Sequence, residues 1–173
     1  MKRVLTLLVV CLLTSALANG MAMINFDKPV SSIMLAAHYD YNRLGSGNHN
    51  WSGLVGYAKP VTANGQIYLV SFAELGRVPQ GDELKLEVRG LYFLKPPTTG
   101  FNVGLLFGAG GTWDGHITEP LTSDQTIAYL LGTTGITVSK PISNLIGLWG
   151  GFEFQLGADY AEYRFGAGIN LFL

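Results

Sequence analysis

The sequence predicts an all-β protein, an eight-stranded antiparallel up-and-down barrel that spans a membrane with its apolar side chains outward. Three observations carry this. Alternation with period two recurs along the chain beyond residue 20, where the 3.6-residue helical period is hard to find. The 173 residues are 48% hydrophobic and only 13% charged, about half the charge of an ordinary soluble domain, and mean hydropathy is +0.28. Yet no run of about 18 apolar residues follows the first twenty positions, so membrane-spanning helices are excluded. Aromatics at 12% and the apolar fraction exclude a disordered chain. A net charge of −1 gives no electrostatic reason for nucleic-acid binding. The length suits one domain.

Taken in order, the chain opens with a positive Lys2-Arg3 pair, a ten-residue apolar stretch from Val4 to Leu13, and the small-residue site Ala16-Leu17-Ala18. This is the pattern of a cleaved export signal, and the stretch is too short for a membrane anchor. Cys11 is preceded by Val9-Val10, where lipidation would want small residues. Residues 1–18 are therefore set aside as a signal peptide, and residues 19–29 as a short lead-in to the barrel at 30–173. The remaining 155 residues hold no cysteine and carry a formal charge of −3. An exported chain without disulfides needs some other source of stability.

The first strand places Ile33, Leu35, Ala37, Tyr39 and Tyr41 opposite His38, Asp40 and Asn42. The second, 51–58, puts Trp51, Gly53, Val55 and Tyr57 on one side. In the third, 66–74, the choice between Tyr68/Val70/Phe72 and Ile67/Leu69/Ser71/Ala73 is close. The fourth, DELKLEVRGLYFLK at 82–95, is the clearest: Leu84, Leu86, Val88, Gly90, Tyr92 and Leu94 share one parity, and Glu83, Lys85, Glu87 and Arg89 the other. Successive strand side chains point to opposite faces, so one face is apolar and the other charged. The fifth alternates Phe101, Val103, Leu105, Phe107, Ala109, Gly111 and Trp113 with a glycine-rich set. In the sixth, Ile127, Tyr129 and Leu131 change parity to Ile136 and Val138, which predicts a bulge near Thr133-Thr134-Gly135. The seventh opposes Ile146, Leu148, Phe152, Phe154 and Leu156 to Glu153 and Gln155. The eighth opposes Tyr163, Phe165, Ala167, Ile169, Leu171 and Leu173 to Arg164 and Asn170.

The turns repeat the count. Lys28-Pro29, Lys59-Pro60, Lys95-Pro96 and Lys140-Pro141 fall before the first strand and after the second, fourth and sixth. In a meander these places lie at one end. Proline suits a chain leaving the sheet without a ladder donor, and lysine suits an interface where its charge reaches water or phosphate. Longer loops at Asn42–Asn50, Leu75–Gly81, Asp114–Gln125 and Gly157–Glu162 belong to the other end.

Alternation alone also fits a soluble barrel with an apolar interior, the architectural rival. The large residues sit on one parity and the small ones on the other, and a narrow eight-stranded interior has room only for the small set. The clear apolar registers contain no charge, as a lipid face requires. Aromatics collect at both strand ends: Tyr39, Tyr41, Trp51, Trp113 and Tyr163 toward the loops, and Tyr57, Tyr92 and Phe101 toward the Lys-Pro turns. These are the two girdles expected at membrane–water interfaces. Backbone groups all pair within a closed barrel, which lipid then tolerates.

This pattern, with the closing strand YRFGAGINLFL at 163–173, resembles the small eight-stranded outer-membrane barrels of Gram-negative bacteria. The class usually ends in an aromatic, where this chain has Leu173. The resemblance implies a periplasmic N-terminus, short periplasmic turns and external loops. It implies membrane lipid and lipopolysaccharide as surroundings, and periplasmic chaperones and the barrel-insertion machinery as partners in assembly. No residue identifies an extracellular partner.

The candidate site residues are the interior charges His38, Asp40, Glu83, Lys85, Glu87, Arg89, Glu153 and Arg164, read as a network of ion pairs filling a closed core. A narrow pore is the alternative use of that lumen. A lipid A acyl-chain enzyme is another alternative, working through the outer loop His116, Glu119, Ser123 and Asp124 or through His38 with Asp40. Three scattered histidines give no metal-ligand spacing, and no cofactor is expected. The glycines of 108–111 continue a strand instead of opening a helix, so they form no nucleotide loop. The function read from the sequence is a structural barrel whose surface loops serve envelope integrity or surface interaction.

Overall fold

The computed structural model describes residues 29–42, 49–78, 81–115, 127–157 and 161–173. Eight strands follow in order: β1 (Ser32–Asn42), β2 (His49–Pro60), β3 (Ile67–Val78), β4 (Gly81–Phe93), β5 (Asn102–Gly115), β6 (Ile127–Pro141), β7 (Ile146–Leu156) and β8 (Ala161–Phe172). Each pairs antiparallel with the next, and β1 pairs with β8 to close the barrel. The fold is the predicted eight-stranded up-and-down barrel. Closure leaves no sheet edge for another chain to join.

Burial runs opposite to that of a soluble protein. Among the described residues, 17 polar or charged residues are buried against ten apolar ones, and the least exposed side chains, Arg164, Lys85, His38, Gln155, Glu74, Thr112 and Asp40, are all polar. Large apolar side chains cover the outside, with Leu130 at 86% and Phe107 at 57% exposure. The apolar registers of the first, second, fourth, fifth, seventh and eighth strands all face outward, whereas the charges of the opposite parity face the lumen.

The sixth strand differs from the sequence reading, and the third settles a choice that reading left open. The sixth has no bulge: every pairing of β6 with β5 and β7 steps evenly from end to end. Leu131 therefore faces the lumen, buried opposite Gly110, while Leu130, Ile136 and Val138 face out. In β3 the close choice resolves with Tyr68, Val70 and Phe72 inside and Ile67 and Leu69 outside. Glu74 shares the parity of Phe72 and is buried. A carboxylate on the lipid face would be far costlier than an aromatic in the lumen, so the charge sets the strand's orientation.

The strands also run further toward the loop end than predicted. Leu75 to Val78 belong to β3, and Glu162 belongs to β8 with its side chain buried. At the other end the connections are tight. Thr62 to Gln66 join β2 to β3, with Gly65 at φ +67°, a value that L side chains rarely adopt. Between β6 and β7, the Ser143 Oγ accepts from the amides of Leu145 and Ile146. The Lys59-Pro60 and Lys140-Pro141 pairs close β2 and β6, and Lys95-Pro96 follows β4, all at this end.

Interior glycines set how closely the layers approach. A Cβ at Gly110 would strike the Leu86 carbonyl oxygen and lie 2.5 Å from Glu87 Cγ. A Cβ at Gly166 would overlap the His38 imidazole. Both glycines open the space into which the polar side chains of neighbouring strands, Glu87 and His38, lean.

Candidate functional site

The polar interior is built from three cations, each held between two carboxylates. Arg164 faces Asp40 across the β1/β8 seam and Glu153 across the β7/β8 pair. Its Nε donates to Asp40 Oδ1 at 2.8 Å, and its Nη2 reaches over the lumen to Glu74. Arg89 donates from Nε to Glu87 Oε2 at 2.9 Å and from Nη1 to Glu153 Oε1 at 2.6 Å. Lys85 Nζ lies 2.9 Å from Glu162 Oε2 and 3.3 Å from Glu83 Oε2. The Arg164 and Arg89 groups touch through Arg164 Nη1, which lies 3.6 Å from Glu153 Oε2 and 3.9 Å from Glu87 Oε1.

Hydroxyls and one amide complete the network. Ser52 Oγ donates to Glu74 at 2.6 Å, Thr112 Oγ1 to Glu83 at 2.9 Å and Thr133 Oγ1 to Glu87 at 2.7 Å. Gln155 Nε2 donates to Glu87 and to Thr133. The Arg89 guanidinium also stacks 4.0 Å above the Phe72 ring, a favourable contact for a buried cation. Buried charges are tolerated when paired and hydrogen-bonded in this way, and such networks rigidify a core.

His38 completes the Arg164 group. Its Nδ1 lies 2.5 Å from Arg164 Nη2 and 3.1 Å from Glu74 Oε2. A guanidinium only donates and a carboxylate only accepts, so Nδ1 serves one of these two contacts according to its tautomer. Donor atoms of His38, Asp40 and Glu74 converge within 4.8 Å, a spacing that could hold a metal ion and that the sequence did not reveal. Arg164 contacts all three residues and supplies the positive charge at that point.

All eight interior residues named from the sequence are buried and bonded in this cluster. The sequence missed Glu74 and Glu162. The signal for Glu74 was a carboxylate within a strand, whose only tolerable direction is inward. Glu162 was assigned to a loop, although it shares the inward parity of Arg164. The loop residues His116, Glu119, Ser123 and Asp124, like residues 1–18, lie outside the described residues.

Outside, the aromatics stand where the alternation put them. At the loop end the Tyr39 ring stacks on His49, with centroids 5.6 Å apart, and meets Trp51 in a tilted contact at 5.1 Å. Tyr163 packs on Phe154 at 5.0 Å, and Tyr41 and Trp113 lie at the same end. Tyr57, Tyr92 and Phe101 are exposed toward the turns. Lys140 Nζ lies 5.0 Å from the Phe101 ring centroid, a lysine stem running along the apolar belt with its charge at the rim.

Solved structures with this arrangement are similar along most of the chain. The N-terminal β-barrel domain of Pseudomonas aeruginosa OprF superposes with a TM-score of 0.60 at 13% identity, covering 84% of this chain and 99% of that one. The fold is that of the small outer-membrane barrels. Neisserial surface protein A gives 0.59 at 11% identity, covering 83% and 96%. Ail, the attachment invasion locus protein of Yersinia pestis, gives 0.54 at 10% identity, covering 84% and 99%. No protein-family model and no curated protein sequence matches the chain. The lumen of this barrel is crossed by side chains. Arg164 of β8 reaches Glu74 of β3, and Lys85 of β4 reaches Glu162 of β8. His38 and Asp40 are buried, at 0% and 1% exposure.

Proposed function

We propose that this chain is an integral protein of a bacterial outer membrane, exported through residues 1–18, with a rigid barrel that carries surface loops. The observation that supports this best is the inverted burial: an apolar exterior around a charged interior in which every cation is held by carboxylates. A soluble barrel would gain nothing from that exterior, whereas lipid requires it. The loops then serve envelope integrity or surface contact. That reading agrees with neighbours described as a surface protein and an attachment protein. Lipid and lipopolysaccharide surround the barrel, and periplasmic chaperones and the insertion machinery deliver it.

The network weighs against the two other roles. Three cation-centred groups span the lumen, so a solute path would have to break buried ion pairs. The His38/Asp40 pair is committed to Arg164 and unavailable for acyl chemistry. Envelope fractionation with an unheated gel tests the proposal. The protein is expected in the outer-membrane fraction, released by detergent but not by salt, and migrating differently before and after boiling. Release by osmotic shock, with one mobility in both gels, would refute it.

A further inference from the structure

Toward the turns the lumen becomes mainly apolar. Below the charged groups lies a cavity of about 340 Å3, whose walls include Met34, Ala58, Tyr68, Leu91, Phe93 and Trp149. Gly65, Pro96 and Pro141 of the three turns border its mouth. Among the described residues that line it, Lys140 is the only charged one, and its Nζ extends toward the Phe101 ring on the outer surface. Apolar walls open to water at one end are stabilised by whatever apolar group covers them.

The chain itself enters the barrel across this mouth, since Pro29 and Val30 border the cavity. Pro29 packs on the turn between β2 and β3, where a Cβ at Gly65 would lie 2.9 Å from the Pro29 Cβ. Tyr68 of the cavity wall hydrogen-bonds the Val30 backbone. The residues that lead up to this point carry Met21, Met23, Ile24 and Phe26 within eight positions of Pro29, and the charges of Asp27 and Lys28 come last, at the rim.

These positions favour the chain's own side chains as the occupant. Phe26 is three residues before Pro29, within about 10 Å of it even along an extended chain. A segment tethered at the mouth has a local concentration on the order of millimolar. A free molecule would have to displace it.

We propose that residues 19–28 fold back over the turn end and seat apolar side chains, Phe26 foremost, in this cavity, closing the lumen from that side. The inference goes beyond the outer-membrane role. Only the compartment outside the mouth, the periplasm, rests on that reading.

A single tryptophan tests this in the full barrel, held in lipid nanodiscs that leave both ends in solvent. Phe26→Trp is combined with replacement of Trp51, Trp113 and Trp149 by Phe. The indole at position 26 is expected to emit at short wavelength and to lose most of its quenching, both by acrylamide in the water and by dibrominated lipid. Ser139→Phe and Ala58→Phe fill the cavity from different walls; in each, the emission should shift to longer wavelength and acrylamide quenching should return. Gel mobility before boiling reports which variants are folded. Strong acrylamide quenching with the cavity unfilled would mean that the segment hangs free in water. Strong quenching by dibrominated lipid would mean that it lies on the bilayer. Either result would overturn the proposal. So would emission and quenching unchanged in a folded filled variant, because the segment would then be packed elsewhere. None of these outcomes depends on where the protein resides in the cell.

Discussion

Arg164→Met lowers the stability of the inserted barrel by about 3–5 kcal/mol, the cost of breaking a buried ion pair from one side. Glu74→Gln changes it by about 1 kcal/mol or less, the net scale of one hydrogen bond. The asymmetry follows from the stoichiometry of the interior. Asp40, Glu74, Glu83, Glu87, Glu153 and Glu162 are shared by Arg164, Arg89 and Lys85, two carboxylates to each cation. Removing a cation leaves two carboxylates facing each other without compensation. Replacing one carboxylate by its amide leaves a single pair that is already balanced, and the Gln keeps an oxygen for Ser52. Methionine roughly preserves the volume of the arginine stem, so the change isolates charge from packing. Urea unfolding in lipid vesicles gives both values. Equal stability of wild type and Arg164→Met would remove the network as a source of stability.

Val88→Arg destabilises the barrel by about 2–4 kcal/mol, the cost of an arginine on the lipid face near the bilayer midplane, whereas Val88→Leu leaves it unchanged. Val88 is 52% exposed near the middle of β4, flanked by the inward Glu87 and Arg89. Moving a positive charge by one residue along this strand thus turns a stabilising position into a forbidden one. On a surface facing water the same substitution would fall within about 0.5 kcal/mol. The same vesicle unfolding assay measures it. A neutral Val88→Arg would show that this face does not meet lipid.

Most of the fold was legible because lipid sorts side chains so strictly. From Glu83 to Arg89 of β4 each residue's type gives its direction, whereas Leu91 and Phe93 further along it lie inside. Where the sequence misled, large apolar residues lie inside. Val70 and Phe72 pack in the lumen with Leu54 and Ala58, and Leu131 sits opposite Gly110. Apolar character alone therefore did not fix direction in β3 or β6, whereas charge did: Glu74 orients β3. The membership of the network was legible from parity, but its pairings were not. Lys85 meets Glu162 across 77 residues and Arg164 meets Glu74 across 90, contacts made only when the barrel closes.

Quenching by dibrominated phosphatidylcholine reads most directly whether the outside meets lipid. Two single-tryptophan variants are compared in bilayers, one retaining only Trp149 and the other carrying Phe107→Trp with Trp51, Trp113 and Trp149 replaced by Phe. Position 107 is on the outer face and Trp149 is buried in the lumen. Strong quenching at position 107 with little at 149 is the expected result. Equal quenching at both positions, or stronger quenching at 149, would contradict an exterior that faces lipid around a closed interior.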